Sequence, residues 1–331
     1  MHVLRGGHVE SIHLGHAAVV DASGRLLSFA GEPHLSIFPR SSFKPFQALP
    51  LVESGAFLRS GLGHDALALI AGSHSGTDAH AALALSILER AGADETALAC
   101  GTHPPFDEAT AAALRARGEA PGPLRHNCSG KHAGMILLAR ALGARIEGYL
   151  EPDHPVQRAI FTRFAELVGE PWSDGTPAID GCSAPTPRMP LTTLARAFAM
   201  LAAGCDSSGR ATPALAEIRD AMRAHPVQVA GEGRLDTQLM RASPRLVAKV
   251  GAEAVHATGV VDTSMGIAVK VADGATRALA PAVVRLLIEA GALDAPSRAA
   301  LGQVGDETLK NHAGIEVGAI RGVVRLRRDL P

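Results

Sequence analysis

The segment "GIAVKVADG", residues 266–274, has the apolar, β-branched pattern of a strand close to the carboxyl end of the chain. A second strand pattern lies near the amino end, where residues 9–39 alternate around the turn sequence "DASGR" (21–25) and predict a hairpin. Further strands are predicted at 255–261 and 315–328. Strands at both ends with helices between them predict an α+β fold whose sheet is assembled from the two termini.

The region between these strands is predicted to be mainly helical. Apolar periodicity indicates helices over 41–54, 78–91, 107–117, 131–142, 155–168, 190–203, 213–224 and, close to the carboxyl end, 275–290. We therefore predict a discontinuous α/β domain of residues 1–75 and 245–331, into which a mainly helical domain of residues 76–244 is inserted. The joints between the helices are rich in Gly, Pro and Cys, which is typical of ordered loops.

The composition is that of a folded protein with no strong charge. Of the 331 residues, 47% are hydrophobic and 20% are charged, and 32 Lys and Arg residues oppose 33 Asp and Glu residues. This balance does not favour a nucleic-acid partner. No apolar run is long enough to span a membrane and no signal peptide is recognisable, so we expect a cytoplasmic protein with no membrane partner. The four cysteines are then better interpreted as thiols or metal ligands than as disulfides.

The segment "RSSFKPFQALPLVESGA", residues 40–56, contains a Ser-x-x-Lys spacing from Ser41 to Lys44. Residues three apart lie on one face of a helix, so the two side chains are able to meet. A serine hydroxyl becomes a good nucleophile when a base takes its proton, and a lysine with a lowered pKa is such a base. The pattern alone also fits an ordinary helix start, with Ser41 as the cap, Pro45 in the first turn and Lys44 reaching solvent.

Two further segments supply candidate catalytic residues. In "GSHSGTDAH", residues 72–80, two glycines flank Ser73 and predict a tight turn into a helix, where backbone N–H groups are able to bind an anion. The alternative interpretation is a helix cap formed by Ser75 or Thr77. Lys270 lies within the apolar strand quoted first, where a lysine is either functional or on an exposed edge.

Metal-ligating residue types cluster in "HNCSGKHAGM" (126–135) and in "DGCSAPTP", which begins at Asp180. Cys128 and His132 are four residues apart on a predicted helix, and with Cys182 they would supply three zinc ligands. Asp180 or water would be the fourth. Cysteines far apart in sequence are also common as small buried apolar side chains, so both interpretations stay open at this point.

Taken together, the motifs resemble those of the rhizobial-type L-asparaginases, also called the asparaginase II family. The resemblance rests on "RSSFKPFQALPLVESGA", "GSHSG", "CGTHPPFD", "RHNCSGKHAGM" and "DGCSAPTP" in this order, and it extends over nearly the whole chain. It implies a fold similar to those of serine β-lactamases and glutaminases, and a homodimer. It also implies hydrolysis of L-asparagine to L-aspartate and ammonia, with little activity on glutamine.

The resemblance assigns catalytic roles to two serine–lysine tandems. Ser41 is matched with Lys44, and Ser73 with Lys270 on the context "GIAVKVADGATRA". We expect Ser41 to attack the side-chain amide carbon while Lys44 takes its proton, with the second tandem completing a proton network. Both serines fit the acylated position. The expected substrate-binding residues are Asp180, His132 and Arg40. Arg40 would pair with the α-carboxylate as the alternative to a bound metal in that role.

The resemblance also implies a zinc ion, one per chain, close to the active site. Its ligands match Cys128, Lys131 and Cys182, with Asp180 and His132 nearby. In this ligand set Lys131 takes the place of His132, which the spacing favoured. A lysine must be neutral to bind a metal.

Two other classes of function also fit these residues. The first is a zinc-dependent amidohydrolase in which a metal-bound water is the nucleophile and the serines only bind substrate. The second is a non-catalytic amino-acid-binding protein with the same fold.

Overall fold

A computed structural model describes residues 1–170 and 176–328. Its strands are β1 (His2–Arg5), β2 (His8–Ile12), β3 (Gly15–Asp21), β4 (Leu26–Ala30), β5 (Ser36–Ile37), β6 (Ala178–Ile179), β7 (Pro185–Thr186), β8 (Met189–Pro190), β9 (Leu246–Gly251), β10 (Val255–Val260), β11 (Met265–Val271), β12 (Asp306–Lys310), β13 (Glu316–Arg321) and β14 (Arg327–Arg328). Its helices are α1 (Lys44–Gln47), α2 (Leu49–Glu53), α3 (Ala56–Ser60), α4 (His64–Ile70), α5 (Asp78–Arg90), α6 (Glu108–Arg117), α7 (Ser129–Ala141), α8 (Pro155–Val168), α9 (Leu191–Ala203), α10 (Pro213–Ala224), α11 (Pro226–Val229), α12 (Leu235–Ala242), α13 (Leu279–Glu289), α14 (Ala295–Ala300) and α15 (Gly302–Gly305). Within these ranges no helix combines the length and the apolar character needed to cross a bilayer.

The chain forms two compact units. The sheet unit comprises Met1–Ser42, Met189–Arg210 and Gln238–Pro331, and the helical unit comprises Phe43–Arg188 and Ala211–Thr237. The predicted domain boundaries lay after residue 75 and before residue 245, whereas the helical unit begins at Phe43 and ends at Thr237, with Met189–Arg210 belonging to the sheet unit. The first boundary lies earlier because α2 and α4 pack against α7 and α10 of the helical unit. The stretch around α9 joins the sheet unit because α9 packs on β3, β10 and β11.

The sheet unit contains a six-stranded sheet with the order β14-β4-β3-β11-β10-β9. Neighbouring strands are antiparallel throughout, and β3 from the amino end lies beside β11 from the carboxyl end, with Ala18 opposite Ala268. Strands β3 and β4 form the hairpin predicted around "DASGR". A second sheet has the order β12-β13-β1-β2. The prediction of an α+β fold with a sheet from both termini is therefore confirmed.

Close packing of α9 on this sheet depends on a glycine. A Cβ atom at Gly266 would lie 1.8 Å from the carbonyl oxygen of Ala195, so any other residue there would push the helix away. Most residues of α9 are buried and apolar, which explains the apolar periodicity of 190–203.

Helix α7 is the central helix of the helical unit. Its residues 129–139 are all buried, and it packs against α2, α4, α5 and α8. Gly130 permits the contact with α4, because a Cβ atom there would lie 2.6 Å from the Leu69 carbonyl oxygen. The amino end of α7, which carries Cys128 and Lys131, is thereby held inside the unit.

The helix predicted over 41–54 is interrupted. A 3-10 turn covers Arg40–Phe43, and Pro45 and Pro50 each lie in the first turn of a separate short helix, α1 or α2. Proline is tolerated at these positions but ends the hydrogen bonding of a preceding helix. The ring of Phe43 packs edge-on against Phe164 at 4.8 Å. Lys44 beside it is 1% exposed, so it does not reach solvent.

Candidate functional site

The amine of Lys44 is buried in the helical unit and contacts Ser73. Its Nζ atom donates to the carbonyl oxygen of Gly72 at 2.6 Å, to Ser73 Oγ at 2.8 Å and to the carbonyl oxygen of Asn127 at 3.3 Å. Three acceptors match the three protons of an ammonium group. The hydroxyl that the structure brings to Lys44 is therefore Ser73, which lies 29 residues further along the chain.

The same arrangement suits the neutral form of Lys44. Burial lowers the pKa of Lys44, and Lys131 adds to this effect, while the thiols of Cys128 and Cys182 oppose it. A neutral amine has two N–H groups and one lone pair. Because carbonyl oxygens only accept, both N–H groups stay on Gly72 and Asn127, and the lone pair faces Ser73 Oγ. Lys44 is thus placed to accept the proton of Ser73.

The turn of residues 72–77 is anchored on both sides of Ser73. The N–H group of Ser73 donates to the carbonyl oxygen of Val229 at 2.6 Å, and the Ser75 hydroxyl donates to that of Ala230 at 2.8 Å. Thr77, one of the two predicted caps, accepts from the N–H group of His80 at the start of α5. The turn is rigid because its hydrogen bonds reach segments far away in sequence.

Two backbone donors in this turn are left over. Within residues 1–170 and 176–328, the N–H groups of His74 and Ser75 donate no hydrogen bond. Both follow Ser73 directly, so they are candidates for stabilising the oxyanion that forms on a carbonyl group attacked by that hydroxyl.

His74 ties the turn to the start of α7. Its Nδ1 atom accepts from the Gly76 N–H group at 3.1 Å, so the ring proton lies on Nε2. Nε2 donates to Ser129 Oγ at 2.9 Å, and this hydroxyl donates to the carbonyl oxygen of Leu124 at 2.8 Å. Burial lowers the pKa of His74 well below its ordinary value, so the ring stays neutral. Sequence reasoning did not single out His74, although its place within "GSHSG" was a signal.

Ser41 and Arg40 lie on the 3-10 turn that ends the first stretch of the sheet unit. Ser41 is half-buried, and its hydroxyl has no hydrogen-bond partner in the described part of the chain. Its neighbour Ser42 is fully buried and donates to the carbonyl oxygen of Pro39 at 2.6 Å, which is a structural role. Arg40 has a φ of 52°, a left-handed conformation that is strained for a residue with a side chain.

Lys249 and Lys270, both on strands of the sheet unit, differ in environment. Lys270, predicted to pair with Ser73, is half-buried on β11 and donates to the carbonyl oxygen of Glu253. Burial lowers the pKa of Lys270, and Glu253 opposes this effect. Lys249 on β9 is fully buried and donates to the carbonyl oxygen of Val250 at 2.9 Å. Sequence reasoning missed Lys249; its signal was a lysine inside the apolar run "RLVAKVGAEAV".

The structure brings Cys128, Lys131 and Cys182 together in the helical unit. Cys128 directly precedes α7, Lys131 lies in its first turn, and Cys182 lies in the loop between β6 and β7. All three are buried, and Lys131 Nζ donates to Cys182 Sγ at 2.9 Å. A hydrogen bond to Cys182 and the nearby Lys44 and Lys131 hold the pKa of Cys128 well below its ordinary value. Burial acts to lower the pKa of Lys131, but the two sulfurs outweigh it and raise that pKa.

His132 and Asp180 flank this cluster. His132 Nδ1 lies 2.6 Å from the Tyr149 hydroxyl, which also accepts from the Ala99 N–H group at 3.0 Å. His132 Nε2 is buried, with no hydrogen-bond partner in the described residues, and burial lowers the pKa of His132 to about 4. Asp180 accepts from the Gly181 N–H group at 2.7 Å and acts to raise the pKa of Lys131. Both residues are therefore near the cysteines, as expected.

The sulfur donors of this cluster are of a type that suits a zinc-like metal. Residues 1–170 and 176–328 contain no group of three or more His, Cys, Asp or Glu side chains arranged to hold a metal. Cys128, Lys131 and Cys182 fall outside that class because one donor is an amine. Two buried sulfurs are ligand types that zinc accepts, and the lowered pKa of Cys128 favours the thiolate that such binding needs. The raised pKa of Lys131 keeps its amine protonated, so this nitrogen would bind a metal only after losing a proton.

Comparison with known proteins identifies one family. The family model described as L-asparaginase II matches residues 1–322. No curated protein matches the chain in sequence.

Several solved structures have a similar chain course at low identity. A structure of Mglu in its native form has a TM-score of 0.45 and 13% identity, covering 78% of this chain and 62% of that one. A β-lactamase from Mycobacterium bovis has a TM-score of 0.41 and 13% identity, and the match covers 88% of this chain and 95% of that one. A Bacillus glutaminase has a TM-score of 0.35 and 11% identity, with 88% of both chains covered. The chain thus spans less than two thirds of Mglu, and no functional argument follows from similarities this weak.

Proposed function

Because the chain belongs to the L-asparaginase II family, we propose that it hydrolyses carboxamides and that its substrate is L-asparagine, giving L-aspartate and ammonia. The observation that carries this proposal is the buried contact of 2.8 Å between Lys44 Nζ and Ser73 Oγ. It pairs a hydroxyl with a base whose pKa burial lowers. An unactivated amide requires such an activated nucleophile.

In the proposed acylation, Ser73 Oγ bonds to the amide carbon while its proton passes to Lys44. The tetrahedral oxyanion accepts hydrogen bonds from the N–H groups of His74 and Ser75, which have no other acceptor among the described residues. Lys44 then returns the proton to the amide nitrogen, the carbon–nitrogen bond breaks, and ammonia leaves. The product of this half-reaction is an aspartyl ester of Ser73.

Deacylation uses the same groups in the reverse sense. Water attacks the ester carbon and gives a proton to Lys44, and Ser73 Oγ regains a proton as the carbon–oxygen bond breaks. Ser41 is the alternative acylated residue because of its Ser-x-x-Lys spacing, whereas direct contact with the base favours Ser73. The pairing of Ser73 with Lys270 stays a prediction. It is tested by the rate at which the variant Lys270→Met releases ammonia from asparagine, which should fall if Lys270 serves Ser73.

We propose Cys128, Lys131 and Cys182 as the residues that would hold a zinc ion. Lys131 would have to lose its proton, and the neighbouring Cys128 thiolate would keep its charge. When bound, zinc would supply a Lewis-acid position for the α-amine of the substrate. The chain itself would hold the start of α7 against the loop between β6 and β7 through these three side chains.

The decisive experiment is ammonia release from asparagine and glutamine by the purified protein, with and without a chelator. We expect a preference for asparagine of at least about a hundredfold, because one extra methylene displaces the amide carbon from the nucleophile. A serine enzyme keeps part of its turnover when the metal is removed, whereas a zinc–water hydrolase loses all of it. Binding of asparagine without ammonia release would instead identify an amino-acid-binding protein. The homodimer stays a prediction, which light scattering on the eluted protein tests.

A further inference from the structure

The geometry points to Arg234 as the residue that binds the α-carboxylate of the substrate, an inference that rests on the proposed hydrolysis of asparagine. Arg234 lies in the segment between α11 and α12 of the helical unit. It was not among the candidate residues, where Arg40 was expected to take this role.

The positive charge of Arg234 lies over an aromatic ring and has no anionic partner in the described part of the chain. Its guanidinium carbon lies 5.0 Å from the centre of the Phe106 ring, and Phe106 is 48% exposed. In the described part of the chain, the guanidinium forms no ion pair and no hydrogen bond, and only its backbone N–H group donates, to Gly231. Arg234 also directly precedes α12, and the positive end of a helix disfavours a neighbouring cation. Its charge is therefore available to an anion.

The segment that carries Arg234 is fixed to the turn that carries Ser73. Val229 accepts from the Ser73 N–H group at 2.6 Å, and Ala230 accepts from the Ser75 hydroxyl at 2.8 Å. Gly231 has a φ of 119°, and a Cβ atom there would lie 2.1 Å from Ser75 Oγ. Only glycine permits this approach, so the backbone leading to Arg234 keeps one position relative to the nucleophile.

The Phe106 ring beneath the guanidinium is linked to the base. The ring stacks on His103 at 4.8 Å, and His103 Nε2 accepts from the Asn127 N–H group at 3.1 Å. The carbonyl oxygen of Asn127 accepts from Lys44 Nζ at 3.3 Å. Phe106 also precedes Asp107, whose N–H group donates to the carbonyl oxygen of Ser75 at 3.0 Å. Two sets of contacts thus connect the Arg234–Phe106 pair to the Lys44 amine and to the turn that carries Ser73.

A guanidinium suits this task chemically. It binds a carboxylate through two parallel N–H···O bonds, and stacking on an aromatic ring fixes its plane. Asparagine carries one carboxylate, at the end of the molecule remote from the amide that reacts. Holding that carboxylate would place the amide carbon at the nucleophile and would favour free amino acids over peptides.

The test compares substrates that differ only at the amino-acid end. L-Asparagine and succinamic acid keep the carboxylate, whereas 3-aminopropanamide lacks it. For Arg234→Gln we expect kcat/KM to fall about ten- to hundredfold on the first two, mainly through KM, because a charge-assisted hydrogen-bonded pair is lost. The value for 3-aminopropanamide, or its inhibition constant where turnover is too slow, should stay within about twofold. Arg234→Lys should be intermediate, because lysine keeps the charge but loses the planar fork. The matched control is Arg115→Gln, an exposed arginine on α6.

The outcomes separate this inference from the proposed function. Equal losses on all three substrates, or no loss on asparagine, would overturn the role of Arg234 while leaving the hydrolysis intact. If the wild-type protein released no ammonia from any amide, the proposed function would fail. L-Aspartate binding by calorimetry would then decide on Arg234 separately: weaker binding to Arg234→Gln supports it, and equal binding excludes it.

Discussion

Replacing Lys44 by Met is the most direct test of the proposed base. The change keeps most of the side-chain length and removes the amine that contacts Gly72, Ser73 and Asn127. Loss of a general base typically lowers the rate by about 10²–10⁴-fold. Because Lys44 is the group in direct contact with Ser73 Oγ, we expect kcat to fall by this amount while KM for asparagine changes little.

The same change has two opposing effects on stability. Each acceptor that Lys44 leaves unpaired costs about 1–3 kcal/mol if no water replaces the amine. Against this, the folded state no longer holds a polar amine in a site that is 1% exposed, and Met packs well beside Phe43 and Phe46. We expect the free energy of unfolding to change by less than about 3 kcal/mol, which leaves a folded protein.

The assay combines ammonia release with denaturant unfolding of the same preparations. Lys310→Met, at an exposed position on β12, is the matched control and should keep wild-type kinetics. A folded Lys44→Met variant that keeps more than about a tenth of the wild-type kcat would exclude Lys44 as the general base, since loss of a general base lowers the rate far more than that.

Three other predictions concern the serines, the cysteines and pH. Ser73→Ala and Ser41→Ala should each lower kcat about a hundredfold or more. Mass spectrometry of the enzyme quenched during turnover should find the acyl group on Ser73, and an acyl group on Ser41 would identify Ser41 as the nucleophile instead. Cys128→Ser and Cys182→Ser should lose about one zinc ion per chain, because a hydroxyl does not replace a thiolate, and unchanged metal content of the double variant would remove both from the metal site. Because burial lowers the pKa of Lys44, its free base forms at lower pH than in solution, so kcat/KM should rise with pH towards a maximum on the alkaline side of neutral. For the same reason, the folded state binds fewer protons at Lys44 than the unfolded chain does. The contribution of Lys44 to the free energy of unfolding should therefore increase as the pH rises from the lowered pKa towards about 10.4. A rate maximum below about pH 6 with the metal retained would argue against a lysine base.

Elements with a strong local pattern were predictable from the sequence. The helices over 155–168 and 213–224 were found with the bounds that the structure gives, since amphipathic periodicity and flanking Pro and Gly mark both ends. The helix over 41–54 was misjudged, because its apolar pattern continues through two prolines that divide it. Strand β9 was missed, because a short apolar run such as 246–251 is hard to assign without its partner β10.

The candidate site divides in the same way. Ser73, Lys131 and the cysteines were proposed from sequence motifs, which depend on residue types and their order along the chain. The neutral ring of His74, the buried Lys249 and the Arg234 guanidinium over Phe106 were not found. Each owes its character to neighbours that are distant in sequence, such as Ser129 for His74 and Phe106 for Arg234.

By itself, the sequence determined the α+β class, the family resemblance that the match to L-asparaginase II confirms, and the residue types on which the proposed chemistry rests. Tertiary structure alone decided which of these groups meet. Ser-x-x-Lys spacing suggested that Lys44 serves Ser41, whereas folding of the helical unit brings the Lys44 amine to Ser73. The reason is that a lysine's pKa and partner are set by burial and by the acceptors around its amine, and these come from α1, the turn of residues 72–77 and the segment before α7, which are adjacent only after the chain has packed.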